Sequence, residues 1–226
     1  AEVIKNKGLS FTDILDTKLF SRDSAHVLDI PIGLGDEDAV ISLRLGEGTS
    51  HHGLIGGGTG GGKSTLLHTI IMSSMLHYSP DQLHLYMMDF KGGTEFKIYE
   101  SERLPHIQLL ALDAMQEFGE SILQNLIEEM ENRSNAFKNA GGYTKIEDYV
   151  RGTGNPMPRI LVIMDEFQIL FDDSTNRKVA MRSANHAKRI VTEGRAYGVH
   201  LLMATQSTNI ISTLTLDRGT IEQMRV

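Results

Sequence analysis

Short apolar runs alternate along the chain with longer segments whose apolar residues recur at helical spacing. The runs predict five core β-strands and a sixth at the end of the chain: HGLIGG, LHLYMMDF, IQLLAL, RILVIMDEF, VHLLMATQ and EQMRV. The segments between them predict helices near 63–77, 114–138 and 177–197. Because strands that alternate with helices need crossover connections, we expect an α/β fold with a mainly parallel sheet flanked by helices.

The first 46 residues follow a different pattern. The segment FTDILDTKLF predicts a surface helix at 12–20, and two β-prone runs, HVLDIPIGL and AVISLRL, flank the acidic turn GDED. Two such runs around a turn predict a β-hairpin. We therefore expect residues 1–46 to form a short helical and β-rich N-terminal segment that packs on the core, and residues 47–226 to form the main domain. The stretches 141–158 and DDSTNRK are predicted to be loops.

The bulk composition narrows the class of protein only a little. With 226 residues, 40% hydrophobic and 23% charged, the chain is an ordinary globular sequence. Its formal charge of −7 removes net charge as an argument for nucleic-acid binding, and the absence of Cys excludes disulfides. No apolar run approaches the ~20 residues that cross a bilayer. The chain starts at Ala1 and stops inside a predicted strand, so we expect a cytoplasmic piece of a longer protein, truncated at its C-terminal end. Any membrane anchor would belong to the missing parts of that protein.

A glycine-rich stretch, HGLIGGGTGGGKST, separates the first core strand from the first core helix. Gly57, Gly62, Lys63 and Ser64 match the P-loop pattern G-x-x-x-x-G-K-[ST] in its proper context of strand and helix. Glycines let backbone N–H groups surround a phosphate, while the lysine reaches the β- and γ-phosphates and the serine hydroxyl binds Mg²⁺. The alternative, a flexible glycine linker, does not explain the Lys-Ser pair. The predicted nucleotide-binding residues are Gly57, Gly58, Thr59, Gly60, Gly61, Gly62, Lys63, Ser64 and Thr65.

The strand RILVIMDEF ends in two adjacent carboxylates, Asp165 and Glu166. In P-loop enzymes such a pair, the Walker B element, places one acid at Mg²⁺ and a second acid beside the attacking water. We therefore expect an ATPase that uses ATP and Mg²⁺, in which Ser64 and Asp165 hold the metal and Glu166 activates water. Gln206, at the tip of another core strand, is a candidate sensor of the γ-phosphate, and a solvated strand end is the alternative.

Seven stretches, taken in order, resemble the FtsK/SpoIIIE family of ring-forming motor ATPases within the RecA-like P-loop group. They are PIGL, HGLIGGGTGGGKST, MMDFKGG, LPHI, EMENRSNAF, ILVIMDEF and GRAYGVHLLMATQ. Some look especially similar to the type VII secretion motors of this family (EssC/EccC), although DNA translocases share most of them. Asp89 and Lys91 match a further family element at the tip of the second core strand. The resemblance implies a RecA-like fold and a hexameric ring with nucleotide at the subunit interfaces.

The resemblance also implies roles for particular residues. Lys63 falls at the position that binds phosphate, Glu166 at the position that activates water, and Gln206 at the position of the sensor. Arg195 matches the position from which a neighbouring subunit inserts an arginine finger, acting in trans. Because such a finger is worth ~10³–10⁵ in rate, an isolated subunit is expected to be a poor ATPase. From the residues alone, Arg195 is equally explained as a cation at a helix C-terminus.

The chain departs from the DNA-pumping members of the family at two places. They carry a basic residue directly after ATQ, where this chain has Ser207 followed by Thr208, and their second basic pore loop lies beyond Val226. Three functions therefore stay open on the sequence. The first is translocation of double-stranded DNA, which we rank highest. The second is export of a polypeptide by a type VII-like secretion system, and the third is a nucleotide-dependent binding or switch module.

Overall fold

A two-stranded hairpin and a five-stranded sheet, surrounded by helices, make up the fold. The computed structural model describes residues 10–16, 18–58, 60–207 and 215–224. The strands are β1 (Leu28–Leu34), β2 (Val40–Leu45), β3 (Gly53–Gly56), β4 (Leu83–Asp89), β5 (Ile107–Ala111), β6 (Arg159–Asp165) and β7 (Val199–Thr205). The helices are α1 (Lys63–His77), α2 (Gln116–Asn139), α3 (Ile146–Thr153), α4 (Asp173–Tyr197) and α5 (Arg218–Glu222). None of the helices within the described ranges is long and apolar enough to cross a bilayer.

The five-stranded sheet has the order β3-β7-β6-β4-β5, and every neighbouring pair is parallel. The carboxyl ends of its strands therefore share one edge. Asp89 at the end of β4 is in register with Asp165 at the end of β6, and Gly56 of β3 is in register with Thr205 of β7. This confirms the predicted parallel α/β fold, and it brings the glycine-rich loop and the Asp-Glu pair to the same edge.

Both faces of the sheet are buried, which explains why its strands read as continuous apolar runs. All seven residues of β6 are buried, and its five apolar residues alternate between two hydrophobic clusters. Ile160, Val162 and Met164 pack in the cluster that contains residues of α2 and α4. Leu161 and Ile163 pack in the cluster that contains residues of α1 and of the antiparallel β1–β2 hairpin. The strand that carries the Asp-Glu pair is thus fixed from both sides.

The predicted surface helix at 12–20 is wrong. Among the residues of this stretch that the structure describes, the chain forms only a 3₁₀ turn at Phe11–Ile14. Farther on, the Phe20 N–H donates a hydrogen bond to the Leu76 carbonyl near the end of α1 (2.9 Å). Pairing with α1 thus replaces the hydrogen bonds that a longer helix would have made within itself. Thr17 lies outside the described residues.

Two segments predicted to be loops contain helix. α3 lies inside the stretch 141–158, where its first residue Ile146 is buried and its end is closed by Gly154 at φ +70°. DDSTNRK contains the start of α4, which is interrupted by a kink at Asn176 (φ −147°, ψ 90°). Short helices depend on caps and on burial of one face, which local composition does not reveal.

The predicted sixth strand, EQMRV, is wrong over its described part. Glu222 ends α5, whose start is capped by Asp217 through a hydrogen bond that the carboxylate accepts from the Thr220 N–H (2.9 Å). Met224 is buried and belongs to no strand. The Asp217 cap therefore favours a helix at a place where the residue pattern predicts a strand. Residues 225–226 lie outside the described residues.

A buried polar network lies at the amino edge of the sheet, at the start of β6 and β7. The Arg159 guanidinium donates to the carbonyls of residues 24–26 and to His200 Nε2 (3.1 Å). A guanidinium can only donate, so His200 carries its proton on Nδ1, from which it donates to the His51 carbonyl (2.8 Å). The network ties the segment before β1 to the central strands.

The histidines at this edge make folding sensitive to acid. His52 is fully buried, its Nδ1 accepts the Leu201 N–H (3.0 Å), and burial lowers its pKa to about 3. Burial and the nearby Arg159 charge hold the pKa of His200 well below its ordinary value. Unfolded histidine titrates near pH ~6.5, so below that pH the unfolded chain binds protons that the folded chain does not. Stability therefore falls as the pH drops from about 6.5 towards 3.

We expect the variant His52→Asn to lose less stability on acidification than the wild type. Asparagine keeps an acceptor near the position of Nδ1 but cannot be protonated. Between pH 7 and 5, the free energy of unfolding of the wild type should fall by about 2 kcal/mol more than that of the variant. Urea unfolding at the two pH values measures the difference, with the exposed His26→Asn as a control that keeps the His52 contribution. Equal pH dependence in wild type and His52→Asn would show that His52 does not stay neutral in the fold.

Candidate nucleotide-binding site

The loop that joins β3 to α1 forms a cradle of backbone groups. The Gly57 N–H donates to the Thr205 carbonyl at the end of β7 (3.2 Å), and the Gly61 N–H donates to the Gly58 carbonyl (2.9 Å). A Cβ on Gly61 would lie 2.9 Å from the Gly58 oxygen, and Gly62 has φ +84°. Both positions therefore require glycine if the loop is to keep this turn.

The N-terminus of α1 is open to an anion. The helix begins directly at Lys63, so Ser64 and Thr65 lie in its first turn. Gly62 is the residue before the helix, and since it has no side chain it leaves the first N–H groups without a side-chain cap. Such groups, with the positive end of the helix dipole, bind phosphate. The cradle fits a phosphate group; of the predicted loop residues, Thr59 lies outside the described chain.

Lys63 joins the glycine-rich loop to the Asp-Glu pair. Its ammonium contacts the Asp165 carboxylate and lies 3.3 Å from Glu166 Oε1. All three side chains are at most 5% exposed. One buried cation thus faces two buried anions, and a buried charge of this kind needs its partner to be tolerated.

The two oxygens of the Glu166 carboxylate have different partners, with hydrogen-bond donors at Oε2 and the Lys63 ammonium at Oε1. The residue has φ +51°, in the left-handed region that is uncommon for residues with a Cβ. Gln168 Nε2 donates to Oε2 at 2.6 Å, and the Gln206 N–H lies 3.5 Å from the same oxygen. Oε1 faces the Lys63 ammonium and receives no well-directed hydrogen bond from the described residues.

At each of the two carboxylates, burial acts to raise the pKa and the Lys63 charge acts to lower it. Burial raises the pKa of Asp165 above its ordinary value, although the contact with Lys63 opposes this. Burial also acts to raise the pKa of Glu166, but the hydrogen bond from Gln168 and the charge on Lys63 outweigh it and hold that pKa below its ordinary value. Glu166 is therefore ionised at neutral pH, as a proton acceptor must be.

Asp89 lies beside Asp165 in the sheet and organises the loop that follows β4. It is buried, and its carboxylate accepts the N–H groups of Lys91 (2.8 Å) and Glu95 (3.2 Å). The Lys91 side chain is exposed at the same edge. The contact made by Asp89 is therefore with the backbone of its own loop.

Arg195 does not join the site of its own subunit. It lies in the last turn of α4, just before β7 starts, and therefore at the amino edge of the sheet, whereas Lys63 lies at the carboxyl edge. Its side chain is exposed, and Nη1 lies 3.2 Å from His51 Nε2. Gln206 does reach the site, through its backbone N–H beside Glu166. The fold thus gathers Lys63, Glu166 and Gln206 and leaves Arg195 at the opposite edge.

Gln168 is the residue of the site that the sequence analysis does not predict. It lies in a 3₁₀ turn at Phe167–Ile169, directly after the Asp-Glu pair. The turn reverses the chain and brings the Gln168 amide onto the Glu166 carboxylate. The sequence signal is weak, since it consists of one polar residue inside the apolar run FQIL.

The phosphate cradle follows β3, the Asp-Glu pair ends β6, and β7 lies between these two strands. This arrangement defines a P-loop ATPase domain of the RecA-like class. The family follows from the sequence comparison. The chain belongs to the FtsK/SpoIIIE family, whose sequence model matches residues 11–155. This confirms the family indicated by the ordered motifs, and it makes the chain part of a motor ATPase family.

Relatives in this family include both secretion and DNA-translocation proteins. The ESX secretion system protein EccC of Thermomonospora curvata is 31% identical over 196 residues, which cover 82% of this chain and 14% of that protein. The DNA translocase FtsK of Streptococcus pyogenes serotype M3 is 32% identical over 201 residues, 84% of this chain and 24% of that protein. The structure of the cytoplasmic domain of the T. curvata type VII secretion ATPase EccC matches 96% of this chain and 24% of its own, with 28% identity and a TM-score of 0.70. The chain thus spans at most about a quarter of the length of these relatives.

Proposed function

We propose that this domain hydrolyses ATP as one subunit of a hexameric ring and thereby moves double-stranded DNA. The observation that carries the proposal is the buried contact of Lys63 with Asp165 and Glu166 beside the glycine-rich loop. Family membership supports motor action. The sequence similarity to a relative that is named as a DNA translocase, at 32% identity, supports DNA as the cargo.

In this proposal the nucleotide changes the partner of Lys63. The cradle formed by residues 57–58 and 60–62 and the first turn of α1 bind the phosphates of ATP, and the Lys63 ammonium pairs with them. Because the same ammonium contacts Asp165 and Glu166 in the structure, ATP binding exchanges carboxylate partners for a phosphate partner. The exchange leaves Glu166 free to accept a proton from the attacking water.

Ser64 and Asp165 supply the oxygen atoms that suit Mg²⁺. One is a hydroxyl in the first turn of α1, and the other is a carboxylate in contact with Lys63, the first residue of that helix. Mg²⁺ is usually bound by one or two such protein oxygens together with phosphate oxygens, so the donor set fits it. When bound, the metal neutralises charge on the phosphates.

The position of Arg195 supports a role in a neighbouring subunit. An exposed cation at the amino edge of the sheet is unsuited to its own site but is available to complete an adjacent one. We therefore propose that Arg195 acts in trans and that Gln206 senses the nucleotide in cis. We further propose that residues 1–46 pack on the ATPase domain at 47–226 and that this domain works in the cytoplasm.

A secreted polypeptide is the second candidate cargo. EccC, a secretion system protein, matches 82% of this chain at 31% identity. In addition, the residue after the ATQ stretch is the neutral Ser207, and the net charge is −7. Both features are unfavourable for binding a phosphate backbone, because proteins make such contacts mainly through Lys and Arg side chains.

ATP turnover as a function of protein concentration, with and without long double-stranded DNA, tests the proposal. Lys63→Ala provides the blank, and heparin provides a polyanion control. A rate that rises steeply with concentration and several-fold with DNA, but not with heparin, supports a DNA-translocating ring. A concentration-dependent rate that ignores DNA moves the assignment to a protein-export motor. Tight ATP binding with negligible turnover at every concentration rejects both and leaves a nucleotide-dependent switch.

A further inference from the structure

The two oxygens of the Glu166 carboxylate have different surroundings. Oε2 accepts a hydrogen bond from Gln168 Nε2 at 2.6 Å and lies 3.5 Å from the Gln206 N–H. Oε1 faces only the Lys63 ammonium, at 3.3 Å, among the groups that the described residues place around it. Since a carboxylate only accepts hydrogen bonds, the amide of Gln168 must turn its nitrogen, and not its oxygen, towards Oε2.

The difference matters because Lys63 is the partner that ATP would remove. Once the ammonium pairs with phosphate, Oε1 has lost the cation that faces it, while Oε2 keeps its donors from Gln168 and Gln206. Without those donors, the plane of the carboxylate would be free to rotate about the last side-chain bond, and neither oxygen would keep a fixed direction. Holding one oxygen therefore decides which lone pairs face an incoming water, and a base oriented by a third group is a recurring arrangement in catalysis.

The turn that carries Gln168 is itself anchored. Gln116, a buried residue at the start of α2, donates through Nε2 to the carbonyls of Ile169 (2.6 Å) and Asp172 (2.8 Å). Phe167 is 1% exposed and packs in the core. The Gln168 amide therefore extends from a backbone that is fixed on both sides, as an orienting group requires.

We infer that Gln168 is a positioning residue, which holds Glu166 Oε2 so that Oε1 is the oxygen that receives the proton of the attacking water. The inference rests on the proposed function, in which Glu166 is the base. Gln168 itself acts only through Glu166 and contacts no reacting atom.

The test compares variants that lose or keep the donor at position 168. Gln168→Met has a similar length and no donor, and we expect kcat to fall about 10- to 100-fold while KM for ATP stays within about twofold. Gln168→His can place Nε2–H close to the original amide nitrogen and should recover most of the turnover. Gln124→Met is the matched control, because its amide donates on the surface of α2 to Glu128 (3.0 Å), and it should behave as wild type. Thermal unfolding and ATP affinity are measured for each variant, so that loss of folding is separated from loss of rate.

A second readout does not depend on turnover. In the nucleotide-free chain, the side-chain amide protons of Gln168 should resonate downfield in an NMR spectrum and should shift back in Glu166→Ala. Unchanged kcat in a folded Gln168→Met, faster turnover in that variant, or an amide signal that ignores Glu166→Ala would each overturn the inference. If instead Glu166→Gln retains wild-type turnover, the proposed base is wrong, and that outcome is recognisable without reference to Gln168.

Discussion

Replacing Lys63 with alanine is expected to lower ATP turnover about 10²–10³-fold and to weaken nucleotide binding at the same time. Lys63 is the cation placed beside both the glycine-rich loop and the Asp-Glu pair. Its removal takes away the charge that the proposal assigns to the β- and γ-phosphates, in the ground state as well as in the transition state. KM should therefore rise and kcat should fall. Phosphate release and the affinity for a fluorescent ATP analogue measure the two effects.

The same substitution should also destabilise the nucleotide-free domain. Without the ammonium, Asp165 and Glu166 are adjacent buried carboxylates that lack their cation, and breaking a buried pair in this way costs about 3–5 kcal/mol. Lys188→Ala is the matched control, because its pair with Asp217 (3.1 Å) is exposed and contributes under about 1 kcal/mol. Equal unfolding free energies for the two variants in urea would show that the Lys63 contacts do not stabilise the resting state.

Glu166→Gln is expected to lower turnover by a different route. The amide cannot accept a proton, so kcat should fall about 10²–10⁴-fold. ATP should still bind, and with equal or higher affinity, because the substitution removes one negative charge beside the site of the triphosphate. Measuring turnover and ATP affinity on the same sample separates the two quantities. The exposed Glu102→Gln is the control and should match the wild type in both.

The two variants form a contrast that neither provides alone. Lys63→Ala should lose binding and turnover together, whereas Glu166→Gln should lose turnover only. Near-normal turnover in Glu166→Gln would mean that another group activates water. Normal ATP affinity in Lys63→Ala would mean that the phosphates are bound elsewhere than in the glycine-rich loop.

Each element was predictable from the sequence only as far as its own residues carry the signal for it. The parallel sheet was predictable because its strands are buried on both faces and read as apolar runs, as in RILVIMDEF. α1 was predicted with its observed bounds, since the P-loop marks its start. The helix at 12–20 and the strand EQMRV were mispredicted because their structure depends on caps and on contacts with distant segments, such as Phe20 with Leu76.

The sequence by itself determined the family and the chemical character of the site, because a P-loop and an Asp-Glu strand tip are contiguous motifs whose residue types carry the chemistry. Only the tertiary structure decided how these residues meet. The strand order places one strand, β7, between β3 and β6, so Lys63 reaches Asp165 across 102 positions of sequence. A 3₁₀ turn aims Gln168 at Glu166, and the length of α4 carries Arg195 to the opposite edge. These contacts depend on the order in which the crossover connections place the strands in the sheet. No local pattern of residues encodes that order.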